Sequence, residues 1–179
     1  SQQRGPIAAN LSTSRLMDDV AREAGVRLHR APVGERNVVD AIVREGCIIG
    51  GEGNGGVIDP RICPVRNSLV GAALVLEMLA ARGRTLSEVV AELPVYTMVK
   101  DKVLLGSMRP ADVLAATRRA FDGARVDERD GLHLAWDDGW LHVRASNTEP
   151  ILRIIAEAAD GGLARKRIDT VKALAGDDR

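Results

Sequence analysis

Over residues 1–81, short β-rich stretches alternate with helical periodicity, and this alternation restricts the possible folds more than any other feature of the chain. "PIAANL" reads as a strand, and Leu16, Met17, Val20, Ala21 and Ala24 then recur at helical spacing until Gly25 supplies a stop. "VRLHR" reads as a second strand. Val38, Val39, Ile42 and Val43 make a second helical face closed by Gly46, and "CIIGG" is a third strand that runs straight into the glycine-rich stretch "GGEGNGG". A third helix is predicted from about Asn67 to Ala81; it is apolar nearly all round, which predicts burial. Strands alternating with helices predict a parallel sheet with right-handed crossovers. Ligands of such sheets bind beyond the carboxyl ends of the strands, where Gly50 to Gly56 falls.

The pattern changes between Gly83 and Pro94. "TLSEVVAEL" predicts a short helix with Thr85 or Ser87 as N-cap, stopped by Pro94. "VYTMVKDKVLL" is β-rich, and a helix follows from about Pro110 to Phe121. Asp138-Gly139 signals a hairpin turn, which sets Asp137 opposite Trp140. One hairpin face then carries Leu132, Leu134, Trp136, Leu141, Val143 and Ala145, and the other His133, Ala135, His142 and Arg144. Arg144 therefore ends its strand on the polar face. With "ILRIIAEA" and a last helix from about Leu163 to Leu174, the expected fold is an α/β partial domain over residues 1–93, made of βαβ units on a mostly parallel sheet. An α+β domain over residues 94–179 follows, with a mostly antiparallel four-stranded sheet and two helices.

Composition excludes several function classes. Aromatic residues are 2% of the chain, too few to stack single-stranded bases. The 25 basic and 25 acidic residues cancel, and they cancel within each half, so neither half offers a basic surface to nucleic acid. The longest apolar run, Leu69 to Ala81, is interrupted by Glu77 and falls short of the ~18 residues of a membrane span. Cys47 and Cys63 form no CxxC motif and read as buried free thiols in a reducing, cytoplasmic compartment. His133 and His142 are expected to face solvent, and Asp18-Asp19 to be solvated rather than metal-binding. The opening "SQQRGP", without an initiator Met, reads as a cut.

Two loops carry the chemistry. "GGEGNGG" lacks the GK[ST] ending of a phosphate loop and sets Glu52 where a phosphate would be repelled. A carboxylate beside an amide suits neutral hydroxyls: Glu52 accepts two hydrogen bonds while Asn54 donates and accepts, the pattern a sugar diol needs. Gly55 and its neighbours let such a ligand approach the backbone. The competing reading is a glycine turn joining a strand to a helix. "RASNTEP" offers the Arg144 guanidinium with Ser146, Asn147 and Thr148, a donor set for phosphate oxygens. Its competing reading is a helix capping box, since Ser146 and Glu149 have S-x-x-E spacing. Arg36 is either a cap-region charge or a basic group reaching the cleft of Glu52.

The two loops together, with "STSRLMDDVAREAG", "VGERNVVDAI" and "DGLHLAWDDGWLHVRASNTEP" around them, resemble the α-D-phosphohexomutase superfamily of phosphomannomutases, phosphoglucomutases and phosphoglucosamine mutases. The resemblance implies an enzyme in which a phosphoserine, assisted by Mg²⁺, donates its phosphoryl group to a hexose phosphate and recovers one from the hexose bisphosphate. It implies sugar binding by Glu52, Asn54, Gly55 and Arg36, and phosphate binding by Arg144, Ser146, Asn147 and Thr148. The family's T-x-S-H-N-P phosphoserine loop and D-G-D-x-D-R metal loop are absent from these residues. The chain is therefore expected to be a C-terminal fragment: a partial third, sugar-binding domain over 1–93 and the fourth, phosphate-binding domain over 94–179. It would carry no catalytic residue, bind no cofactor and be inactive without the N-terminal domains. The alternative is a stand-alone, non-catalytic sugar-phosphate binding module. No nucleic-acid or membrane partner is expected, whereas an exposed sheet edge favours self-association. Asn67 stands where the family commonly has Asp, and the preferred hexose is left open.

Overall fold

The computed structural model describes residues 4–105, 108–146 and 149–176, arranged as two compact units, Ser1–Pro94 and Val95–Arg179. In the first unit, β1 (Ile7–Asn10), α1 (Leu16–Ala24), β2 (Leu28–Ala31), α2 (Glu35–Glu45), β3 (Ile49–Glu52) and β4 (Gly56–Ile58) precede α3 (Ser68–Arg82) and α4 (Leu86–Ala91). The sheet order is β2-β1-β3-β4. The first three strands are parallel and β4 is antiparallel to β3. The apolar stripe of α2 packs on the sheet, so that Val38, Ala41 and Ile42 join Ala8, Ala31, Cys47 and Ile58 in one core. Burial pushes the Cys47 thiol pKa up.

Several expectations change here. The third strand begins at Ile49, not Cys47, and takes in the first half of the glycine stretch; β4 takes the other half, pairing Glu52 with Gly56. The stretch is thus a hairpin rather than a loop leading to a helix. Its glycines admit close pairing, since a Cβ on Gly51 would stand 2.5 Å from the Gly56 carbonyl oxygen. Helix α3 forms where its pattern predicts but is not buried: it has no buried residue, and Leu69 is 82% exposed. Its packing runs through the small residue Gly71 onto Val57 of β4. Apolar periodicity records what a helix can bury, and here a single edge strand is available to cover it. Cys63, expected to be buried, is partly exposed.

Asn67 caps α3, its side-chain oxygen accepting hydrogen bonds from the backbone N–H of Leu69 at 3.0 Å and of Val70 at 3.1 Å. Asp does the same work at an N-cap, which accounts for Asn at this position without any loss. Of the two expected N-cap candidates of α4, Thr85 takes the position and forms a capping box with Glu88.

The second unit contains β5 (Thr97–Leu104), α5 (Pro110–Ala120), β6 (Arg125–Asp127), β7 (Leu132–Trp136), β8 (Gly139–Ala145), β9 (Ile151–Ala158) and α6 (Gly161–Leu174). Its antiparallel sheet has the order β5-β9-β8-β7-β6, five strands rather than four. The added strand, β6, is three largely exposed residues at an edge, too short and too charged to show alternation. Val113 of α5 and Ala164, Ile168 and Val171 of α6 cover the sheet face formed by Val103, Leu134, Leu141, Val143, Leu152 and Ile154. Because β9 is a strand, the capping-box reading of Ser146 and Glu149 is excluded: Ser146 lies in the β8–β9 connection and donates its N–H to the Ile151 carbonyl at 2.9 Å.

The β7–β8 turn lies one residue earlier than expected on each side. Trp136 faces Gly139, and Asp137 and Asp138 form the tip. Gly139 belongs to the strand because a Cβ there would stand 2.1 Å from the Glu157 carbonyl oxygen of β9. The resulting slip is two residues, an even number, so every expected face assignment survives it. His142, however, is buried rather than solvent-facing, at 1% exposure. The segment before β7 folds over it, and the Asp130 carbonyl oxygen lies 2.7 Å from its Nε2. Among the described residues no helix is long and apolar enough to cross a membrane.

Replacing Asn67 by Ala is expected to lower the unfolding free energy by about 0.5–2 kcal/mol, and replacing it by Asp to leave stability nearly unchanged. Urea denaturation of the two variants checks this; equal losses would remove the capping role.

Candidate functional site

In the first unit the strand order places β1 between β2 and β3. The chain leaves β1 in one direction and returns past it in the other, so the boundary between β1 and β3 is a topological switch point. Asn10 ends β1 and Glu52 ends β3. The Asn10 side-chain amide donates to Glu52 Oε1 at 2.9 Å, bridging that boundary. The Gly34 N–H, at the start of α2, donates to the same oxygen at 3.1 Å. Asn10 is itself held by the β1–α1 turn, its Oδ1 accepting from the Ser12 N–H at 3.0 Å and the Thr13 hydroxyl at 2.8 Å. The Glu52 side chain is only 7% exposed, and its Oε2 lies 3.8 Å from Arg66 Nη1, beyond hydrogen-bonding distance. One carboxylate oxygen is therefore committed to the fold, and Oε2 retains acceptor capacity.

Beside Glu52 lies a cavity of about 230 Å³ lined by Ala9, Thr13, Met17, Gly51, Gly56 and Val57 among others. This is smaller than the roughly 300–1,000 Å³ of a ligand pocket that engulfs its guest. Asn54 and Gly55 are exposed at the hairpin tip, where Asn54 Oδ1 accepts from the Gly56 N–H at 3.2 Å. Arg36 is 86% exposed and pairs with Asp40 one turn along α2, at 2.9 Å. A cation that lies beside Glu52 is Arg66, which also pairs with Glu35.

The second unit presents a different chemistry. Arg144 stands near the end of β8, directly opposite Arg153 on β9, which is opposite Lys102 on β5. Directly paired residues share a face, so three cations lie in a row within about 10 Å, on the face turned away from α5 and α6. Like charges opposed in this way destabilise a sheet, and carboxylates offset part of the cost: Asp130 Oδ1 accepts from Arg144 Nε at 3.1 Å, and Glu149 lies 3.5 Å from Arg153. A groove of about 500 Å³, lined by Lys100, Lys102, Glu149 and Arg153 among others, runs along this face. The Arg144 side chain is 17% exposed and close to Ser146 in sequence. Asn147 and Thr148 lie outside the described residues.

A family model described as phosphoglucomutase/phosphomannomutase, alpha/beta/alpha domain III, matches residues 1–96, and one described as phosphoglucomutase/phosphomannomutase, C-terminal domain, matches residues 95–174. The chain belongs to the phosphoglucomutase/phosphomannomutase family. It is 37% identical over 166 residues to a phosphoglucomutase/phosphomannomutase of Thermococcus kodakarensis, covering 92% of this chain and 36% of that protein. It is also 37% identical over 174 residues to a protein of Methanopyrus kandleri described as a probable phosphoglucosamine mutase, covering 94% and 38%. In shape it resembles a phosphoglucomutase/phosphomannomutase family protein of Burkholderia thailandensis, with a TM-score of 0.79 over 97% of this chain and 38% of that one; at 24% identity this likeness concerns the fold. The chain thus spans a little over a third of the length of the curated relatives it matches.

From the sequence no role is assigned to Asn10, Arg66 or Asp130, although Asp130 opens the stretch "DGLHLAWDDGWLHVRASNTEP". Asn10 sits inside an apolar strand pattern, and its isolated amide between "IAA" and "LST" is the signal that was available. Asp130 lies 14 residues before Arg144, and only the folded hairpin brings the two together.

Burial holds the His142 pKa below its ordinary value of 6.5, against the hydrogen bond and charge of Asp130, which pull it upward. The unfolded chain therefore takes up this proton at a higher pH than the folded one. The stability contributed by neutral His142 is complete above 6.5 and lost as pH falls toward the lowered folded value. Urea unfolding at about pH 7.5 and about pH 5.5 is expected to show a larger loss on acidification for the unaltered chain than for His142→Gln; equal losses would contradict this.

Proposed function

We propose that this chain is the substrate-holding part of a phosphohexomutase, an enzyme that interconverts hexose 1-phosphates and 6-phosphates through a bisphosphate intermediate. Residues 1–93 would be part of its third domain and residues 94–179 its fourth. The observation that carries the reading is the placement of Arg144: it heads the β8–β9 connection with its Nε engaged by Asp130, in a row of cations that includes Arg153 and Lys102. A phosphate dianion matches that field, and a guanidinium grips it through two parallel N–H bonds. Ser146, Asn147 and Thr148 would complete the oxygen shell.

Glu52 takes the opposite ligand chemistry. With Oε1 committed to Asn10 and Gly34, its Oε2 is assigned to sugar hydroxyls, with Asn54 donating and Gly55 leaving backbone room. Arg66 is a better candidate than Arg36 for a basic group near the ring, because it already lies beside Glu52. The division of labour has a kinetic rationale. A clamp on the phosphate that does not react supplies binding energy and orientation, which can be realised at the reacting end.

The reacting end is assigned to parts of the parent enzyme outside these residues. Among the described residues, no group of three or more His, Cys, Asp or Glu is placed to hold a metal ion. They do not fit the Mg²⁺ site that the family implies, and no step through a metal is assigned to them.

Calorimetric titration of the 179-residue chain tests both loops. Arg144→Ala is expected to weaken inorganic phosphate and glucose 6-phosphate alike, by roughly 10- to 100-fold for a lost charge-assisted contact. Glu52→Ala is expected to weaken only the sugar phosphate. Unchanged phosphate affinity in Arg144→Ala would overturn the clamp, and mutase turnover by the isolated chain would overturn the assignment of catalysis elsewhere.

A further inference from the structure

We propose that Asp130 is the positioning residue of the phosphate clamp, fixing the Arg144 guanidinium so that its Nη edge meets the ligand. This rests on the phosphate reading of Arg144 given above. A guanidinium has five N–H donors in a rigid plane. The 3.1 Å bond from Nε to Asp130 Oδ1 occupies one of them and leaves the donors on the two Nη atoms for the ligand. Arginine side chains carry large rotamer entropy, and one held before the ligand arrives loses less of it on binding.

Asp130 is held on three sides. Its backbone carbonyl lies 2.7 Å from Nε2 of His142, a side chain 1% exposed and placed two residues before Arg144 on the same face of β8. The next residue, Gly131, passes so close to β8 that a Cβ would stand 2.4 Å from the Val143 carbonyl oxygen and 2.9 Å from the Arg144 Cα. Its φ of 75° lies in the region that favours glycine. The third grip is Arg144 itself. Strand β8 thus holds the backbone of Asp130 through His142, admits the turn through Gly131, and receives the carboxylate at Arg144.

Placing a carboxylate beside an anion site has two opposing effects. It repels the phosphate, and it orders the group that binds the phosphate. Its buried anchoring and its bond to Nε favour ordering, since a carboxylate serving only to balance Arg153 would need neither. Asn at position 130 separates the two effects, because it keeps an acceptor oxygen and loses the charge.

The experiment uses the 179-residue chain, titrated with inorganic phosphate and glucose 6-phosphate at constant ionic strength. The Arg144 Nε–H resonance is followed by NMR without ligand, assigned by its loss in Arg144→Lys. Asp130→Ala is expected to weaken phosphate binding by roughly 10-fold or more, as the loss of an orienting partner does, and to bring the Nε–H into rapid exchange. Asp130→Asn is expected to bind at or above the level of the unaltered chain and to keep the resonance. Phosphate binding by Asp130→Ala that is equal or tighter, with the Nε–H unchanged, would overturn the proposal. If Asp130→Ala does not fold by circular dichroism, Asp130→Glu, which displaces the carboxylate by one methylene, replaces it with the same expected loss. If the unaltered chain binds no phosphate, the clamp reading fails. The ligand-free resonance then decides the positioning role alone: loss on alanine substitution supports it and persistence overturns it.

Discussion

The alternation of β8 governs the second unit. Leu141 and Val143 point into the core beneath α5 and α6 with no solvent exposure, and this leaves His142 and Arg144 only the other face. A one-residue slip would exchange the two sets and carry the Arg144 guanidinium into the core, a penalty of several kcal/mol. The position of the candidate phosphate ligand is therefore decided by hydrophobic burial. Its charge acts in the same direction, because an unpaired guanidinium in the core is costly, and it sets the chemistry once there.

The same reasoning explains which parts of the protein were readable from residues alone. Helices α1, α2, α5 and α6 were legible because their apolar spacing coincides with their stops and caps, and the hairpin faces were legible because alternation survives an even slip. Interactions between segments remote in sequence were not. The turn moved because Gly139 fits against Glu157 of β9, a contact between strands. The exposure of α3 depends on what lies over it, and the burial of His142 depends on how the Asp130 segment folds back. The short edge strand β6 carries too few residues for any period to show.

The candidate site divides along the same line. Glu52 and Arg144 stand out in the sequence because each is an unusual charge in its local context. Their partners, Asn10, Gly34 and Asp130, are ordinary residues at distances of 14 to 42 positions, brought near by the sheets. In both units an internal hydrogen bond takes up one edge of the charged group. Glu52 keeps Oε2 and Arg144 keeps its Nη atoms, so each loop presents a reduced and oriented set of contacts.

Strand β8 has two unlike ends. At one, the Asp137–Asp138 tip meets solvent, with the Asp137 side chain 98% exposed; at the other, about 20 Å away along an extended chain, is Arg144. The buried Leu141 and Val143 between them fix the spacing of the two ends. The tip is tied to the fold through Asp138, whose Oδ1 accepts from the nearly buried Arg167 at 2.7 Å, so a strand of seven residues carries a paired carboxylate at one end and the candidate phosphate ligand at the other.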